Sequence, residues 1–182
     1  MTDVINRMSA EEASAALYTC CHCKQWAEKV ASMRPFADAD ALVAATRHVW
    51  WNETGVQGWL EAFLGHPRIG DVSQLREKFA ASAEVCEGEQ GAAMKSMNEE
   101  VLQKLAEGNQ RYEDKFGHVF LICASGKPAW EILAQLERRY PSPPAVELTQ
   151  AAVEQQKITE LRLEKMVLGM GGEAGADGPG RG

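Results

Sequence analysis

No apolar run in this 182-residue sequence approaches the roughly 18 residues that a membrane-crossing helix needs, so no membrane span is expected. Positive charge is in short supply. There are 19 Lys and Arg against 26 Asp and Glu, for a formal net charge of −7. A nucleic-acid binder needs a basic face to neutralise phosphates, so nucleic acid is not an expected partner. Cysteine is sparse and odd in number: 5 in all, three of them crowded at Cys20, Cys21 and Cys23. That count argues against a disulfide framework and for reduced thiols. Zinc ligands usually come as CxxC with a second pair elsewhere, but Cys86 and Cys123 stand alone and no HxxxH follows. No metal is therefore expected. The start, MTDVINRMSAEEA, lacks an apolar stretch of the kind a secretory leader carries, so secretion is not expected either. What remains is an ordinary globular balance, 45% apolar and 25% charged. A chain of this length can hide roughly 70% of its extended surface in one core.

The apolar residues recur at helical spacing almost throughout. Ser9-Ala-Glu-Glu12 forms a capping box that opens a helix with Ala13, Ala16 and Leu17 on one face. A second helix is expected over Lys24–Met33, stopping at Arg34-Pro35 because the residue before proline avoids the α region. Asp38 or Asp40 can cap a third, carrying Leu42, Val43, Ala45 and Val49. Further helices are expected near 53–63, 71–81, 89–108 and 128–140, and from 145 to about 167, with 109–116 a short polar continuation. His118 to Ala124 is the one strand-like run. A lone strand would lack backbone partners, so it reads as an extended loop lying against helices. The expectation is an all-α domain of seven to nine helices over residues 1–167. From Leu168 the composition turns to GMGGEAGADGPGRG, which cannot bury enough apolar surface to offset its ordering entropy. Residues 168–182 are expected to be a disordered, flexible Gly-rich tail or linker.

Several segments combine residue types that packing alone does not need. In Gly65-His66-Pro67-Arg68-Ile69-Gly70-Asp71, the proline keeps His66 out of the α region and two glycines allow close approach. An imidazole titrates near neutrality and suits proton transfer. The plainer reading is a surface turn. In Cys86-Glu87-Gly88-Glu89-Gln90, Glu89-Gln90 at a helix start is favoured by the dipole, and the exposed amides there can bind an anion or carbonyl; the plainer reading is an ordinary acidic first turn. Phe120-Leu121-Ile122-Cys123-Ala124 is either buried core or a stretch whose backbone groups face a ligand. Arg162 lies on or beside the apolar stripe of the last helix. It either meets an internal carboxylate or points into a polar pocket as an anion clamp.

Taken in order, Gly65-His66-Pro67-Arg68-Ile69-Gly70, Glu89-Gln90, Asn109-x-x-Tyr112-x-x-Lys115-Phe116-Gly117, Phe120-x-Ile122-Cys123-Ala124 and Glu154-x-x-Lys157-Ile158-x-x-x-Arg162-Leu163 resemble the 2-oxo-4-hydroxy-4-carboxy-5-ureidoimidazoline (OHCU) decarboxylase family. Cys20-Cys21, Trp26 and Arg34-Pro35-Phe36 add to the likeness, which covers about residues 5–167. The resemblance implies an all-helical carboxy-lyase of urate degradation, usually a homodimer, that needs no cofactor. It would convert OHCU to (S)-allantoin and carbon dioxide. His66 then matches the catalytic histidine, Glu89 its partner carboxylate and Arg162 the substrate-binding arginine. Pro67, Cys86, Glu87, Gly88, Gln90 and Phe120 through Ala124 (Leu121, Ile122 and Cys123 between them) match substrate-contacting positions. Cys86 stands where the family usually has serine, and a thiol is the weaker donor.

Some plant-type relatives join this domain through a linker to a hydroxyisourate hydrolase domain, so the Gly-rich tail reads either as the start of such a linker or as a disordered C-terminus with no role. Such proteins are often peroxisomal. This chain ends in Gly-Arg-Gly rather than a Ser-Lys-Leu signal, so a peroxisomal or cytoplasmic place is expected with no address readable. Two readings compete with the enzyme. One is a non-catalytic helical binding or interaction module of the same fold, and the other is a metal or thiol sensor built on Cys20–Cys23.

Overall fold

The computed structural model describes residues 2–66, 72–79 and 89–173. Nine helices occur among them: α1 (Asp3–Arg7), α2 (Ala10–Cys21), α3 (Lys24–Ser32), α4 (Ala39–Asn52), α5 (Gly55–Leu64), α6 (Val72–Phe79), α7 (Glu89–Phe116), α8 (Ala129–Arg139) and α9 (Pro144–Glu173). No strand is present among the described residues, and the fold class is all-α. The chain divides into two compact units. One comprises Met1–Gly65 with Val153 onward, and the other is His66–Ala152.

In the first unit the caps do what their residues predict. The Ser9 hydroxyl accepts from the Glu12 amide at 3.1 Å, and the Glu12 carboxylate accepts from the Ser9 amide at 2.9 Å. Asp38 accepts from the Ala41 amide at 2.8 Å and starts α4. Helix α3 packs on α2, α4 and α5. Its Trp26 is fully buried, with Nε1 donating to the Thr46 carbonyl at 3.1 Å. Leu17, Val30, Leu42, Val49, Trp50 and Phe63 join it in the core, and Trp51 stays 40% exposed.

Helix α1 has no counterpart in the periodicity, because five residues are too few to show one. Long-range bonds hold it. Arg34 Nη1 donates to the carbonyls of Ile5 (2.9 Å) and Met8 (2.6 Å), and Asn6 exchanges two 2.8 Å bonds with the Phe36 backbone.

In the second unit α7 packs on α6 and α8. Leu75, Leu102, Leu105, Ile132, Leu133 and Leu136 form its core. Helix α7 continues through Gly108 into 109–116, as the sequence suggests. A Cβ at Gly108 would stand 3.0 Å from Leu136 Cδ2, so the glycine serves the close approach of α8 and not a helix end. Helix α9 starts in this unit and runs past the compositional break at Leu168 to Glu173. The rest of the expected tail, 174–182, lies outside the described residues. Among the described residues no helix is long and apolar enough to cross a membrane.

Candidate active site

His66 follows directly on Gly65, which caps the end of α5. It is half-buried and is the first residue of the second unit. Gly65 is required by packing. A Cβ there would fall 2.3 Å from Cγ of His22, so the end of α5 is seated on the His22 ring. Pro67, Cys86, Glu87 and Gly88 lie outside the described residues. Glu89 and Gln90 are the first two residues of α7, where the helix dipole favours an acidic side chain. Their side-chain contacts also lie outside the described residues.

Arg162 belongs to the first unit, where it bonds a backbone carbonyl. Its Nη1 donates to the Cys20 carbonyl at 3.1 Å, at the C-terminal end of α2, where carbonyls are left over by the helix. Among the described residues it makes no carboxylate pair. One of its five N–H donors is thereby used, and the head group is tethered beside His22. His22 caps α2 in the left-handed conformation (φ 55°), with its amide bonded to the Tyr18 carbonyl at 2.7 Å and its ring against Tyr18. Its Nδ1 is buried without a hydrogen-bond partner among the described residues. The neighbouring thiols are inert. Cys20, Cys21 and Cys23 are all buried, and burial pushes each thiol above its usual range. No group of three or more potential metal ligands exists among the described residues.

Phe120–Ala124 runs extended between α7 and α8, in neither helix nor strand. Phe120, Ile122 and Ala124 pack against the core of the second unit, the period of two that an extended chain imposes. Leu121 is buried on the other side. Its carbonyl accepts from Nη1 of Arg139 at 2.7 Å. Arg139 is itself only 5% exposed; its guanidinium lies 4.7 Å over the Phe120 ring, and its Nε donates to Glu147 at 2.9 Å. Nη2 of Arg139 and the Tyr112 hydroxyl also donate to Glu147. Burial, then the Glu147 charge, push the Tyr112 hydroxyl well above the usual tyrosine range, so it stays a donor.

Sequence reasoning missed Arg139 and Glu147. The signal was present. Arg139 falls three residues after Leu136 on the apolar stripe of α8, the criterion that singles out Arg162.

Two histidines set a pH dependence. Burial, with the Arg162 charge adding, holds His22 below the ordinary histidine pKa. Burial does the same to His118, whose Nδ1 donates to the Val119 carbonyl at 3.0 Å. In the unfolded chain each takes a proton near pH ~6.5, whereas the folded protein does so only at lower pH. Their contribution to stability is whole above that pH and falls as pH drops below it. The urea midpoint is expected to be lower at pH 5.5 than at pH 7.5; a flat profile would contradict this burial.

Residues 6–164 match the family model described as OHCU decarboxylase, a span that includes every candidate residue from His66 to Arg162. The chain belongs to the OHCU decarboxylase family. The "Uric acid degradation bifunctional protein TTL" of Arabidopsis thaliana is 40% identical over 149 residues, covering 81% of this chain and 45% of that protein. The chain therefore spans less than half of that relative. The 2-oxo-4-hydroxy-4-carboxy-5-ureidoimidazoline decarboxylase of Haloferax volcanii is 28% identical over 137 residues, 75% of this chain and 77% of the relative. A crystal structure of an OHCU decarboxylase in the presence of (S)-allantoin matches with TM-score 0.65 at 34% identity, covering 87% of this chain and 98% of that one. A crystal structure of (S)-allantoin synthase matches at TM-score 0.65 with 17% identity, covering 91% of this chain and 54% of that one, and so shares the fold. The described geometry holds a tethered arginine in the first unit and a pinned extended segment in the second.

Proposed function

We propose that this chain decarboxylates OHCU to (S)-allantoin and carbon dioxide in urate degradation. The observation that carries the reading is the match of residues 6–164 to the family, with His66, Glu89 and Arg162 inside it. The chemistry suits these residue types. Loss of carbon dioxide leaves a carbanion on a ring carbon, and the conjugated ring of the substrate absorbs that charge. The protein then has to orient an anion and deliver one proton to one face.

In this reading His66 delivers the proton and the Glu89 carboxylate sets its tautomer. Arg162 binds the substrate anion through the N–H groups its bond to Cys20 leaves over. The Phe120–Ala124 segment supplies backbone donors. The amides of Phe120, Leu121, Ile122 and Ala124 have no partner among the described residues, which supports their use on ring oxygens. Pro67 and residues 86–88 and 90 complete the substrate contacts, with Cys86 making a weaker bond than serine would. The same reading extends to a homodimer in the peroxisome or cytoplasm, working beside or fused to a hydroxyisourate hydrolase. Bifunctional uric acid degradation relatives support the fusion.

The test is turnover. OHCU is generated in situ from urate with urate oxidase and hydroxyisourate hydrolase, and its ultraviolet decay is followed with and without this protein. A large acceleration that persists in EDTA is expected. Decay at the unassisted rate, with the protein folded, would contradict the proposal and leave a binding module.

A further inference from the structure

The buried assembly of Arg139, Glu147 and Tyr112 does more than fill space. An extended segment outside any sheet has no ladder to orient its peptide planes, so each plane is free to turn unless a group holds it. In Phe120–Ala124, the Ala124 carbonyl is held by the turn that follows, accepting from the Lys127 amide at 3.1 Å. The Leu121 carbonyl is held by Arg139 Nη1 at 2.7 Å. A trans peptide unit is planar, with C=O and N–H pointing in opposite directions. Holding the Leu121 carbonyl on the Arg139 side therefore aims the Ile122 N–H to the other side, and that N–H has no partner among the described residues.

Arg139 is in turn fixed from three directions. Glu147, 1% exposed, accepts from both Nε and Nη2; the Tyr112 hydroxyl fixes the carboxylate; and the Phe120 ring lies under the guanidinium. A planar fork can bond a carboxylate with one edge and a carbonyl with the other while stacking on a ring, whereas an ammonium offers neither the plane nor the edges.

We infer that Arg139, set by Glu147 and Tyr112, is a positioning residue that aims the Ile122 amide at an oxygen of the bound substrate. This rests on the decarboxylase reading above, in which Phe120–Ala124 meets OHCU. Where that oxygen carries the same charge before and during loss of carbon dioxide, the contact is made to substrate and transition state alike, so its loss raises KM and spares kcat.

Arg139→Lys keeps the charge opposite Glu147 and gives up the fork. Its KM for OHCU is expected to rise about tenfold, equivalent to about 1.4 kcal/mol, with kcat within about threefold of wild type. Amide order parameters from 15N relaxation are expected to fall over 121–124 while those of 129–139 hold. A fall in kcat at unchanged KM, or a uniform fall in order parameters across the unit, would overturn the inference and leave a packing role only. Should Arg139→Lys fail to fold, Tyr112→Phe decides. It removes one hydroxyl from the carboxylate, and a KM raised severalfold at native melting temperature supports the inference, whereas an unchanged KM overturns it. Failure of the decarboxylase reading is separable. A folded wild-type protein that does not turn over OHCU refutes that reading, and the order-parameter comparison then tests the pinning alone.

Discussion

Replacing His66 by alanine is expected to lower kcat for OHCU decarboxylation by on the order of 10²–10⁴-fold, the usual share of a positioned proton donor. KM is expected to change little, because the proposed function gives binding of the substrate anion to Arg162 and the backbone amides rather than to His66. The expectation follows from position as well as residue type. His66 comes directly after a helix end and directly before Pro67, which keeps it out of the α region. Gly65 is locked against the His22 ring, so the chain entering His66 has little room to shift. Steady-state kinetics of the variant check this. A kcat within about threefold of wild type would remove His66 from the chemistry. Glu89→Gln is expected to act in the same direction and less strongly, because an amide still accepts a hydrogen bond from the ring but does not stabilise an imidazolium.

Glu147→Ala is expected to destabilise the fold by about 3–5 kcal/mol, the cost of leaving one partner of a buried ion pair uncompensated. Arg139, 5% exposed, would keep its charge with no carboxylate against it, and the Tyr112 hydroxyl would lose its acceptor. Against a typical net stability of about 5–15 kcal/mol, that loss is a large fraction. The urea midpoint should fall steeply. Glu147→Gln keeps an acceptor for Tyr112 and Arg139 and should lose less. A Glu147→Ala midpoint close to wild type would mean that water reaches Arg139 and that the pair is not buried.

Much of the helical fold is legible residue by residue. Ser9 with Glu12, and Asp38, announce α2 and α4, and both caps form as those residue types require. The lack of helical period in 118–124 reads as an extended loop, and the segment is extended without a strand partner among the described residues. The parts that are not legible depend on partners distant in sequence. Helix α1 is held by Arg34 and Phe36, about 30 positions on. The reason for a glycine at 108 inside α7 is the Leu136 side chain, which no local pattern marks. Arg162 reads as a carboxylate partner or a clamp, and the Cys20 carbonyl that tethers it is a backbone atom that no side-chain pattern marks. The candidate site was legible only through the ordered set of short motifs. Arg139 and Glu147 were visible as charges on apolar stripes but not as a pair. Their partnership with Leu121 is a matter of tertiary geometry.

The measurement that tests the central claim most directly is the optical activity of the product. OHCU left alone decays to racemic allantoin, so circular dichroism of the allantoin formed reports which face received the proton. The account predicts a rapid, optically active (S)-allantoin signal with the wild-type protein, and a far slower formation of product that has lost most of its optical activity with His66→Ala. Racemic allantoin from the folded wild-type protein would contradict it.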